Sequence, residues 1–451
     1  KVTDDISVLD FGAKGDGVAS DAPAFWLGIF FAQKTKSKRL IIPDGYTFDL
    51  GGNEIDAGGV TLVFNGSIVK NAKFTGLGMK IDAGRIQIFG ENITLFHRFV
   101  SFYASETGHA YPEWFGYKAN NENYDVVDYI EKLIGFFESI QLGNGIHHTK
   151  RFNLKIEGTL CGIDENTTLI QWQPQYDNIY VFCLGVYNGT FNDRDYYKPT
   201  IKNLSIHTQS SVRRKGLSAI VVGACSRPTI SGFKISQQYN NLVFDRSDLE
   251  QFVVDRSSTP ANVGINFIGD SELICIENGM ILSDIPIKIS NFIDFVQGSD
   301  LTFDAREFGI ACIYYTASAV NSQNINFIGS ISCNQGLYGI YTEDSSTSWN
   351  AMLNNIFNGV RVEQLNGTIL NQGGKVEAKS IRIGSCSRFA NPSFRNMICA
   401  GSGAAFEIVG SQRGSVVFEN ISLTREYSIP VPYTFSVGFW EVPNPDFKVY
   451  L

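Results

Sequence analysis

Charged side chains are scarce in this chain. Asp, Glu, Lys and Arg make up 18% of its 451 residues, against about a quarter in average soluble domains, while apolar residues make up 43%. A disordered or polyelectrolyte chain is excluded, because such chains have few apolar residues and a high net charge. Methionine is also rare, with 4 residues against 34 Phe and 44 Gly. This balance favours many short, half-buried strands joined by tight turns over long helices.

Basic clusters and long apolar runs are missing as well. The formal charge is −8, and the only Lys/Arg cluster, Arg213 to Lys215, is too small to follow a phosphate backbone. No apolar run approaches the roughly 18 to 20 residues that span a bilayer, and the first residues lack the apolar core of a signal peptide. We therefore expect neither a nucleic-acid nor a membrane partner, and a chain that begins at a domain edge.

The cysteines show no metal-binding spacing. The 8 cysteines form no CxxC pair and have no nearby histidine to complete a zinc site. Most of them, such as Cys275 and Cys312, lie in apolar, strand-like stretches, so we expect buried thiols, with disulfides as the alternative. His147, His148 and His207 also lack the context of a metal site. The sequence thus predicts no metal and no cofactor.

A repeat of about 20 to 30 residues emerges after residue 200. Each repeat begins with an apolar pair, and successive pairs begin at Leu204, Phe233, Phe252, Met280, Leu301 and Ile325. A second series of apolar strands follows after short turns, at Leu217, Leu242, Ile265, Ile287, Ile310 and Ile340. Two or three short strands per repeat indicate the coils of a parallel β-helix, in which like residues stack in columns about 4.8 Å apart. A β-sandwich is the alternative, but it would join its strands by hairpin turns of regular length, with dipeptides such as Asn-Gly between the strands, whereas the turns here vary in length.

A duplicated cap region precedes the repeats. The first copy has a glycine-rich loop at 10–17, an N-capped helix from Ser20 to about Lys34, and strands at 40–46 and 60–64. The second copy begins at Glu113 and has a helix at 126–134 with one apolar face, then strands at 140–145 and 154–156. A helix over the open end of a solenoid hides strand edges that would otherwise pair with another chain.

Two segments of the first copy carry a family resemblance. Residues 8–25, VLDFGAKGDGVASDAPAF, and 41–46, IIPDGY, resemble the opening motif of the pectate-lyase-like superfamily of right-handed β-helices. With YPEWFG at 111–116, the chain is similar to the bacteriophage tailspikes of that superfamily, whose enzymatic members depolymerise host capsule or O-antigen. The resemblance implies a homotrimer, attachment to a phage tail or baseplate through a part upstream of Lys1, and a small C-terminal domain. It also implies location in the virion tail, with synthesis in the host cytoplasm and action outside the cell.

The expected fold is therefore an all-β, right-handed parallel β-helix with N-terminal cap units and a small C-terminal domain. We expect the cap region at 1–160, the catalytic β-helix at 161–425 and the C-terminal segment at 426–451. In the last segment, Pro430, Pro432, Pro443 and Pro445 interrupt the coil periodicity.

Carboxylates in neighbouring coils are the candidate catalytic groups. Hydrolysis of a glycosidic bond needs one carboxyl group to protonate the leaving oxygen and another to attack or to activate water. The repeat alignment places Asp255, Ser283 and Asp304 in one outward column, with Asp284 close to it. Asp255 and Asp304 would then lie two coils apart, roughly 9.6 Å at about 4.8 Å per coil. That spacing is at the upper end of the inverting range of about 6.5 to 9.5 Å, whereas carboxylates one coil apart would suit a retaining enzyme.

A second pattern overlaps the first. Asp304 and Glu307 share one turn, and Asp270 and Glu272 lie about one coil earlier. This pattern resembles the active site of some O-antigen-cleaving tailspikes, with Glu307 where the last Asp would stand. We expect Asp304 and Glu307 to be catalytic together with Glu272 or Asp255. Acidic clusters at 245–250 and 343–344 rank below them, and for every acid the alternative is a solvated turn residue that bonds its own backbone.

Arginines and aromatic residues near these acids are expected to bind substrate, because aromatic faces pack against sugar rings and Arg pairs with acidic sugars. The same residues would also suit an interface between subunits. The candidates are Arg256, Arg306, Asp270, Tyr314, Tyr315, Trp349 and Glu343.

These observations support a glycoside hydrolase that binds and cleaves a bacterial surface polysaccharide, whether capsule, exopolysaccharide or O-antigen. A polysaccharide lyase acting on a uronate-containing glycan is one alternative, since Arg256, Arg306 and Tyr314 would suit it. A non-catalytic glycan-binding adhesin is the other.

Overall fold

A computed structural model describes most of the chain. Its described residues exclude 1–4, 97–102, 105–107, 191–197, 213, 238–246, 248–250, 252–260, 292, 306–308, 318, 320–321, 344–354, 366–367, 370–374, 377–378, 385–388, 402–405, 409–413, 425–437, 440–446 and 451. The regular structure in the described residues is almost entirely β-strand. The helices are α1 (Ala22–Ala32), α2 (Val126–Ile130) and two short 3-10 helices, Val8–Phe11 and Pro112–Phe115. Within the described residues, no helix is long and apolar enough to cross a membrane.

Most strands are short, and the longest, β21, β23 and β25, have 12 residues each. In the first 163 residues they are β1 Ile6–Ser7, β2 Asp16–Ser20, β3 Arg39–Ile42, β4 Thr47–Asp56, β5 Thr61–Phe64, β6 Ile68–Thr75, β7 Lys80–Asp82, β8 Ile93–Leu95, β9 Tyr103–Ala104, β10 Ser139–Gln141, β11 Gly145–Thr149, β12 Leu154–Ile156 and β13 Thr159–Cys161. Up to residue 315 they continue as β14 Thr168–Trp172, β15 Tyr180–Leu184, β16 Thr200–Thr208, β17 Ser218–Val222, β18 Cys225–Ser226, β19 Thr229–Ser236, β20 Val263–Phe267, β21 Ser271–Leu282, β22 Ile285–Ile289, β23 Ile293–Asp304 and β24 Ala311–Tyr315. The last are β25 Gln323–Asn334, β26 Tyr338–Thr342, β27 Ile356–Leu365, β28 Thr368–Ile369, β29 Lys375–Val376, β30 Lys379–Ile383, β31 Phe389–Arg395, β32 Ile398–Gly401, β33 Phe406–Ile408, β34 Gly414–Glu419, β35 Ser422–Thr424, β36 Gly438–Phe439 and β37 Phe447–Tyr450.

The chain divides into two compact units. Unit 1 comprises Lys1–Thr149 and Glu157–Ile163, and unit 2 comprises Lys150–Ile156 and Asp164–Leu451. Unit 1 contains two parallel sheets, with strand orders β1-β3-β5-β7-β9 and β2-β4-β6-β8.

Helix α1 agrees with the helix expected in the first cap copy. Pro23 occupies its first turn, where a missing N–H costs nothing. Its buried side chains include Phe25, Ile29 and Ala32. The helix is nevertheless apolar on its other side too, with Trp26, Leu27, Phe30 and Phe31 between 46% and 49% exposed.

The second cap copy also has its expected helix, although only one turn of it is α-helical. In α2 and the turn that follows, Val126, Val127, Ile130 and Leu133 are buried. Asp125 caps the helix by accepting a hydrogen bond from the Val127 N–H at 3.0 Å.

Unit 2 is a parallel β-helix, as the repeat predicted. One sheet runs through β12-β15-β17-β20-β22-β24-β26-β30-β33-β36, and the other runs, within this unit, through β16-β19-β21-β23-β25-β27-β31-β34-β37. Successive strands in both ladders are parallel. Strands β36 and β37, which belong to the predicted C-terminal segment, extend these ladders by pairing with β33 and β34.

The second sheet, which runs from β16 to β37, contains the long strands. These strands bend at one position in each coil, where the backbone is left-handed. Asn, Asp and Gly occupy this position because they adopt positive φ at the lowest cost. The column consists of Asn203, Gly232, Asn278, Asp300, Gly329, Gly359, Asn396 and Asn420. Side-chain amides in its last coils are linked, since Asn420 donates to Asn396 at 2.7 Å and Asn396 donates to Asn358 at 2.9 Å.

Two ladders of stacked side chains fill the core. The first sheet contributes one column of buried isoleucines, which consists of Ile220, Ile265, Ile287, Ile313, Ile340 and Ile381. The second sheet contributes a phenylalanine stack in which Phe327 and Phe357, Phe357 and Phe394, and Phe394 and Phe418 have ring centroids 5.8, 5.2 and 5.3 Å apart. Such pairs add about 0.5 to 1.5 kcal/mol each beyond the burial of their area.

Parts of the predicted strand register are wrong. The residue that stacks on Leu301 is Ile331, not Ile325, because Ile325 belongs to the half of β25 that precedes the bend at Gly329. Similarly, Ile313 rather than Ile310 continues the isoleucine column. The segments predicted at Leu242 and Phe252 lie outside the described residues.

The cysteines agree with the expectation of buried thiols. The cysteines of the described residues are free, and all of them except the half-buried Cys275 are buried. Cys312 lies inside a coil, where its Sγ is 3.5 Å from the Asn334 carbonyl oxygen and burial raises its pKa.

Candidate functional site

The register around Asp304 differs by one residue from the predicted column. Leu282, not Ser283, is the Cα partner of Asp304. The predicted alignment treated Met280 and Leu282 as inward, but Ile281 is the fully buried residue of this strand and stacks on Phe303. Three consecutive apolar residues carry no alternation, so the sequence could not define which of them faces the core. Ser283 and Asp284 are themselves buried in the following turn.

Asp304 is half-buried and lies next to polar residues in the following coils. Its Cα partner in β25 is Asn334, whose Cα partner in β27 is Glu363. Asp304 and Glu363 are therefore two coils apart, roughly 9.6 Å between Cα atoms at about 4.8 Å per coil. This is the spacing predicted for Asp255 and Asp304, but with a different partner.

Glu272 lies far from Asp304. The register pairs Glu272 with Asp294 and pairs Leu282, ten residues further along β21, with Asp304. At about 3.3 Å per residue, these positions remain roughly 24 Å apart even if the bend at Asn278 were a right angle. One glycosidic bond cannot be flanked by both carboxylates, whose separation in glycosidases does not exceed about 9.5 Å.

The structure instead brings Glu272 together with Asp294, which the sequence did not single out. The two residues are Cα partners in adjacent coils, at a strand separation of about 4.8 Å. Alignment of the buried Ile274 with the buried Val296 would have revealed this pair. The pair was not predicted because the apolar pairs expected in β21 and β23, at Met280 and Leu301, fall in the halves of these strands that follow the bends at Asn278 and Asp300.

Hydrogen bonds fix both carboxylates of this pair. The Ser226 hydroxyl donates to Glu272 Oε1 at 3.2 Å. Asp294 accepts two side-chain amides from the next coil, Gln323 Nε2 on Oδ2 and Asn324 Nδ2 on Oδ1, each at 2.9 Å. Both oxygens of Asp294 are thus held in one orientation, while both acids are half-buried and reachable from solvent.

The residue after Glu272 has an unfavourable backbone. Leu273 has a φ of +55° and is 42% exposed. A left-handed conformation costs a bulky residue roughly 1 to 2 kcal/mol, and such strain concentrates at functional sites. The left-handed residue also shifts the alternation of buried and exposed side chains along the strand. Ser271 and Ile274 are both buried, and Glu272 between them is half-buried.

Asp270 lies at the same end of β21 as Glu272, two residues before it in the chain. It is half-buried, and its backbone N–H donates to the Gly189 carbonyl at 3.2 Å. Arg227, whose backbone N–H donates to the Glu272 carbonyl at 2.9 Å, is exposed beside the pair. The start of β21 therefore combines carboxylates with a cation, Arg227, that was not among the residues predicted from the sequence.

The predicted substrate-binding residues Tyr314, Tyr315 and Glu343 lie elsewhere, on the first sheet. The Tyr314 hydroxyl donates to Glu343 Oε1, and the Ala317 N–H donates to Glu343 Oε2 at 2.6 Å. Tyr314 is fully buried and Tyr315 is 4% exposed, and burial raises the pKa of Tyr315. Neither ring offers a free face for stacking on a sugar.

Tyr314 belongs to a column of stacked residues in the first sheet, and the ends of this column carry charged residues. Lys288, Tyr314, Tyr341 and Arg382 are successive Cα partners. Burial lowers the pKa of Lys288, and the charge of Glu343 partly offsets this effect. Arg382 lies 5.0 Å from the centroid of the Tyr341 ring, which makes this column a cation–aromatic ladder.

The remaining predicted site residues, namely Asp255, Arg256, Arg306, Glu307 and Trp349, lie outside the described residues.

Comparisons with known proteins found only distant likenesses. No protein-family model matches the chain, and no curated protein sequence matches it significantly. Among solved structures, the family 28 exopolygalacturonase of Yersinia enterocolitica is 12% identical, with 98% of this chain and 78% of that chain covered and a TM-score of 0.34. The hyperthermoactive exopolygalacturonase of Thermotoga maritima is 13% identical, with 93% and 91% covered and a TM-score of 0.27. Tailspike protein 3 of bacteriophage CBA120 is 10% identical, with 96% and 62% covered and a TM-score of 0.17. At TM-scores this low, the assignment of the parallel β-helix rests on the strand pairing described above.

Proposed function

We propose that this protein is a glycoside hydrolase that cleaves a polysaccharide with Glu272 and Asp294 as its catalytic carboxylates. The observation that carries the proposal is their pairing in adjacent coils, at about 4.8 Å between strands. Retaining glycosidases hold their two carboxyl groups about 5 to 5.5 Å apart, and side chains that project from adjacent coils can reach this separation, so we infer a retaining mechanism.

The hydrogen bonds favour a role for each acid. Asp294 has both oxygens oriented by amides from Gln323 and Asn324, as a nucleophile aimed at one carbon requires. Glu272 is the acid and base. It gives its proton to the leaving oxygen as Asp294 attacks the anomeric carbon, and it later takes a proton from the water that hydrolyses the glycosyl ester. Water is added across the glycosidic bond, and both carboxyl groups return to their initial states.

The substrate and the setting follow from the resemblance of the opening motif. We propose a bacterial surface polysaccharide as substrate, a homotrimer as the working assembly, and attachment to a phage tail. Asp304 and Glu307, with Asp255, form the second candidate set, and Arg256, Arg306, Asp270 and Trp349 are the candidate substrate-binding residues. Among these substrate-binding candidates, Asp270 lies at the same end of β21 as Glu272.

The test begins with a panel of purified capsular and O-antigen polysaccharides, followed by assay of new reducing ends and of polymer length on gels. On the polymer that is cleaved, Glu272→Gln and Asp294→Asn should each lower kcat by at least about 100-fold, because a positioned acid or base contributes that much or more. Glu277→Gln is the matched control, since Glu277 lies on the same strand outside the pair.

The same assay distinguishes the alternatives. If Asp304→Asn and Glu307→Gln abolish cleavage while Glu272→Gln does not, the second set is catalytic. If the product carries the ultraviolet absorbance of an unsaturated uronate, the protein is a lyase. If the protein binds a polymer without shortening it, it is an adhesin.

A further inference from the structure

A serine hydroxyl and a histidine ring are in direct contact beside strand β10 in unit 1. Ser139 Oγ lies 2.7 Å from His109 Nδ1. Ser139 is the first residue of β10, and the residue after His109, Ala110, forms a parallel bridge with Ile140 of the same strand. The two side chains therefore come from neighbouring segments of the sheet, although they are 30 residues apart in the chain.

The surroundings of this pair favour proton transfer from the serine to the histidine. Cys161 Sγ lies 4.0 Å from the same ring nitrogen, but its thiol donates to the Ile140 carbonyl oxygen at 3.5 Å and is buried. Ser139 and His109 are both half-buried, so a small molecule can reach them from solvent. In the tautomer that leaves Nδ1 unprotonated, the ring accepts the serine proton. A base within about 2.6 to 3.2 Å of a hydroxyl is the arrangement that activates a serine nucleophile.

A second hydroxyl lies on the other side of Ser139. Thr159, in β13, is the Cα partner of Ser139 and is also half-buried. The next residues of the two strands, Ile140 and Leu160, are buried, so Ser139 and Thr159 point away from the core. The strands are about 4.8 Å apart, which places a hydroxyl donor next to the nucleophile. Such a donor can stabilise the oxyanion that forms when a nucleophile attacks a carbonyl group.

We propose that Ser139 and His109 form a second catalytic site, which hydrolyses an ester of a carboxylic acid, with Thr159 as the donor to the oxyanion. Ser139 Oγ attacks the carbonyl carbon while its proton passes to His109 Nδ1. The bond from this carbon to the alcohol oxygen breaks, and the alcohol leaves with that proton. Water then attacks the acyl-serine and gives a proton to Nδ1, which returns it to Ser139 Oγ as the acid is released. Water is thus added across the ester bond, and both residues return to their initial states.

An ester suits this site better than an amide. A single hydroxyl donor stabilises an oxyanion less than the paired N–H donors of a complete oxyanion hole. An ester needs less stabilisation, because an alcohol leaves more readily than an amine.

The test is covalent labelling of the whole chain with a fluorophosphonate, which reacts with serine hydroxyls that a base activates, followed by peptide mass mapping. We expect the label on Ser139, and Ser139→Ala should remove it. His109→Asn should lower the labelling rate at least about 100-fold, because a positioned base contributes that much or more. The release of nitrophenol from p-nitrophenyl acetate should fall in parallel in both variants.

Matched variants separate the chemistry from folding. His148→Asn is the control, because His148 is a half-buried histidine of the same unit outside this pair, and its variant should be labelled at the parent rate. Thr159→Val removes the donor but keeps the shape of the side chain, and it should slow labelling at least about tenfold. Urea unfolding identifies the variants that fold, and His109→Gln replaces His109→Asn if the latter does not.

Absence of the label from Ser139 would overturn the proposal. Equal labelling rates in the folded histidine variants, at 109 and 148, would overturn it as well. A Thr159→Val variant that reacts at the parent rate would overturn the role of Thr159. The proposal does not depend on Glu272 and Asp294, which belong to unit 2, so the two proposed sites can fail separately.

Discussion

Glu272 and Asp294 are direct partners in adjacent coils, and each is held by hydrogen bonds from a different neighbour. Ser226 in the preceding coil binds Glu272, while Gln323 and Asn324 in the following coil bind Asp294. The pair is therefore clamped from both sides along the axis of the solenoid.

The mechanism predicts chemical rescue with a defined stereochemistry. Asp294→Gly removes the nucleophile and leaves space for a small anion, whereas Glu272→Gly removes the acid and base. With azide, Asp294→Gly should regain part of its activity and give a glycosyl azide of inverted configuration, because azide attacks the face that Asp294 occupied. Glu272→Gly should give the retained azide on an activated substrate. An inverted product from the parent enzyme, monitored by NMR, would contradict the retaining assignment.

The strained backbone beside Glu272 predicts a stabilising substitution. Leu273 has a φ of +55° and is 42% exposed, so its replacement relieves strain with little loss of buried area. Leu273→Asn should raise the free energy of unfolding by about 0.5 to 1 kcal/mol, because Asn adopts this conformation more readily. Ile328→Asn is the control, since Ile328 is 43% exposed in a strand and has no positive φ. Urea unfolding of both variants gives the comparison, and equal effects would mean that strain is not the cause.

Unit 1 should lose stability in acid because of one histidine. His147 is fully buried, and its ring nitrogens bond the Tyr117 hydroxyl and the Gly143 carbonyl, each at 2.8 Å. Burial lowers its pKa from 6.5 to about 4, so the unfolded chain takes up a proton more readily than the folded one. Its contribution to stability is complete above pH 6.5 and is lost as the pH falls towards 4, by about 3 kcal/mol in all.

The measurement is urea unfolding between pH 7 and 4.5. His147→Gln should be less stable than the parent chain at pH 7 but should lose less stability over this range. Parallel pH profiles of the two proteins would exclude His147 as the source of the acid sensitivity.

The phenylalanine stack should behave as a row of neighbours in contact. Phe357 lies between Phe327 and Phe394, with ring centroids 5.8 and 5.2 Å away, and is fully buried. Phe357→Ala should lower the free energy of unfolding by about 3 to 5 kcal/mol, and Phe357→Leu by less, since Leu leaves a smaller cavity. Combination with Phe394→Ala should give a non-additive loss, because the two rings touch. Additive losses in chemical unfolding would show that the rings do not stack in solution.

Much of the fold could be predicted from the sequence. Apolar pairs that recur in each coil require columns of buried residues, and Ile265, Ile287 and Ile340 do lie in one column. The helix after Asp21 was predictable as well, because a proline in the first turn and a run of apolar residues suffice to define it.

The partners of the acids were decided by the tertiary structure. A shift of one residue turns a strand over, and consecutive apolar residues such as Met280, Ile281 and Leu282 do not reveal the shift. The positive φ angles at Leu273 and Asn278 reset the alternation within one strand, and no local pattern indicates the first of them. Sequence therefore determined that the chain winds into coils with stacked apolar residues, whereas register and backbone bends decided that Glu272 meets Asp294 rather than Asp304.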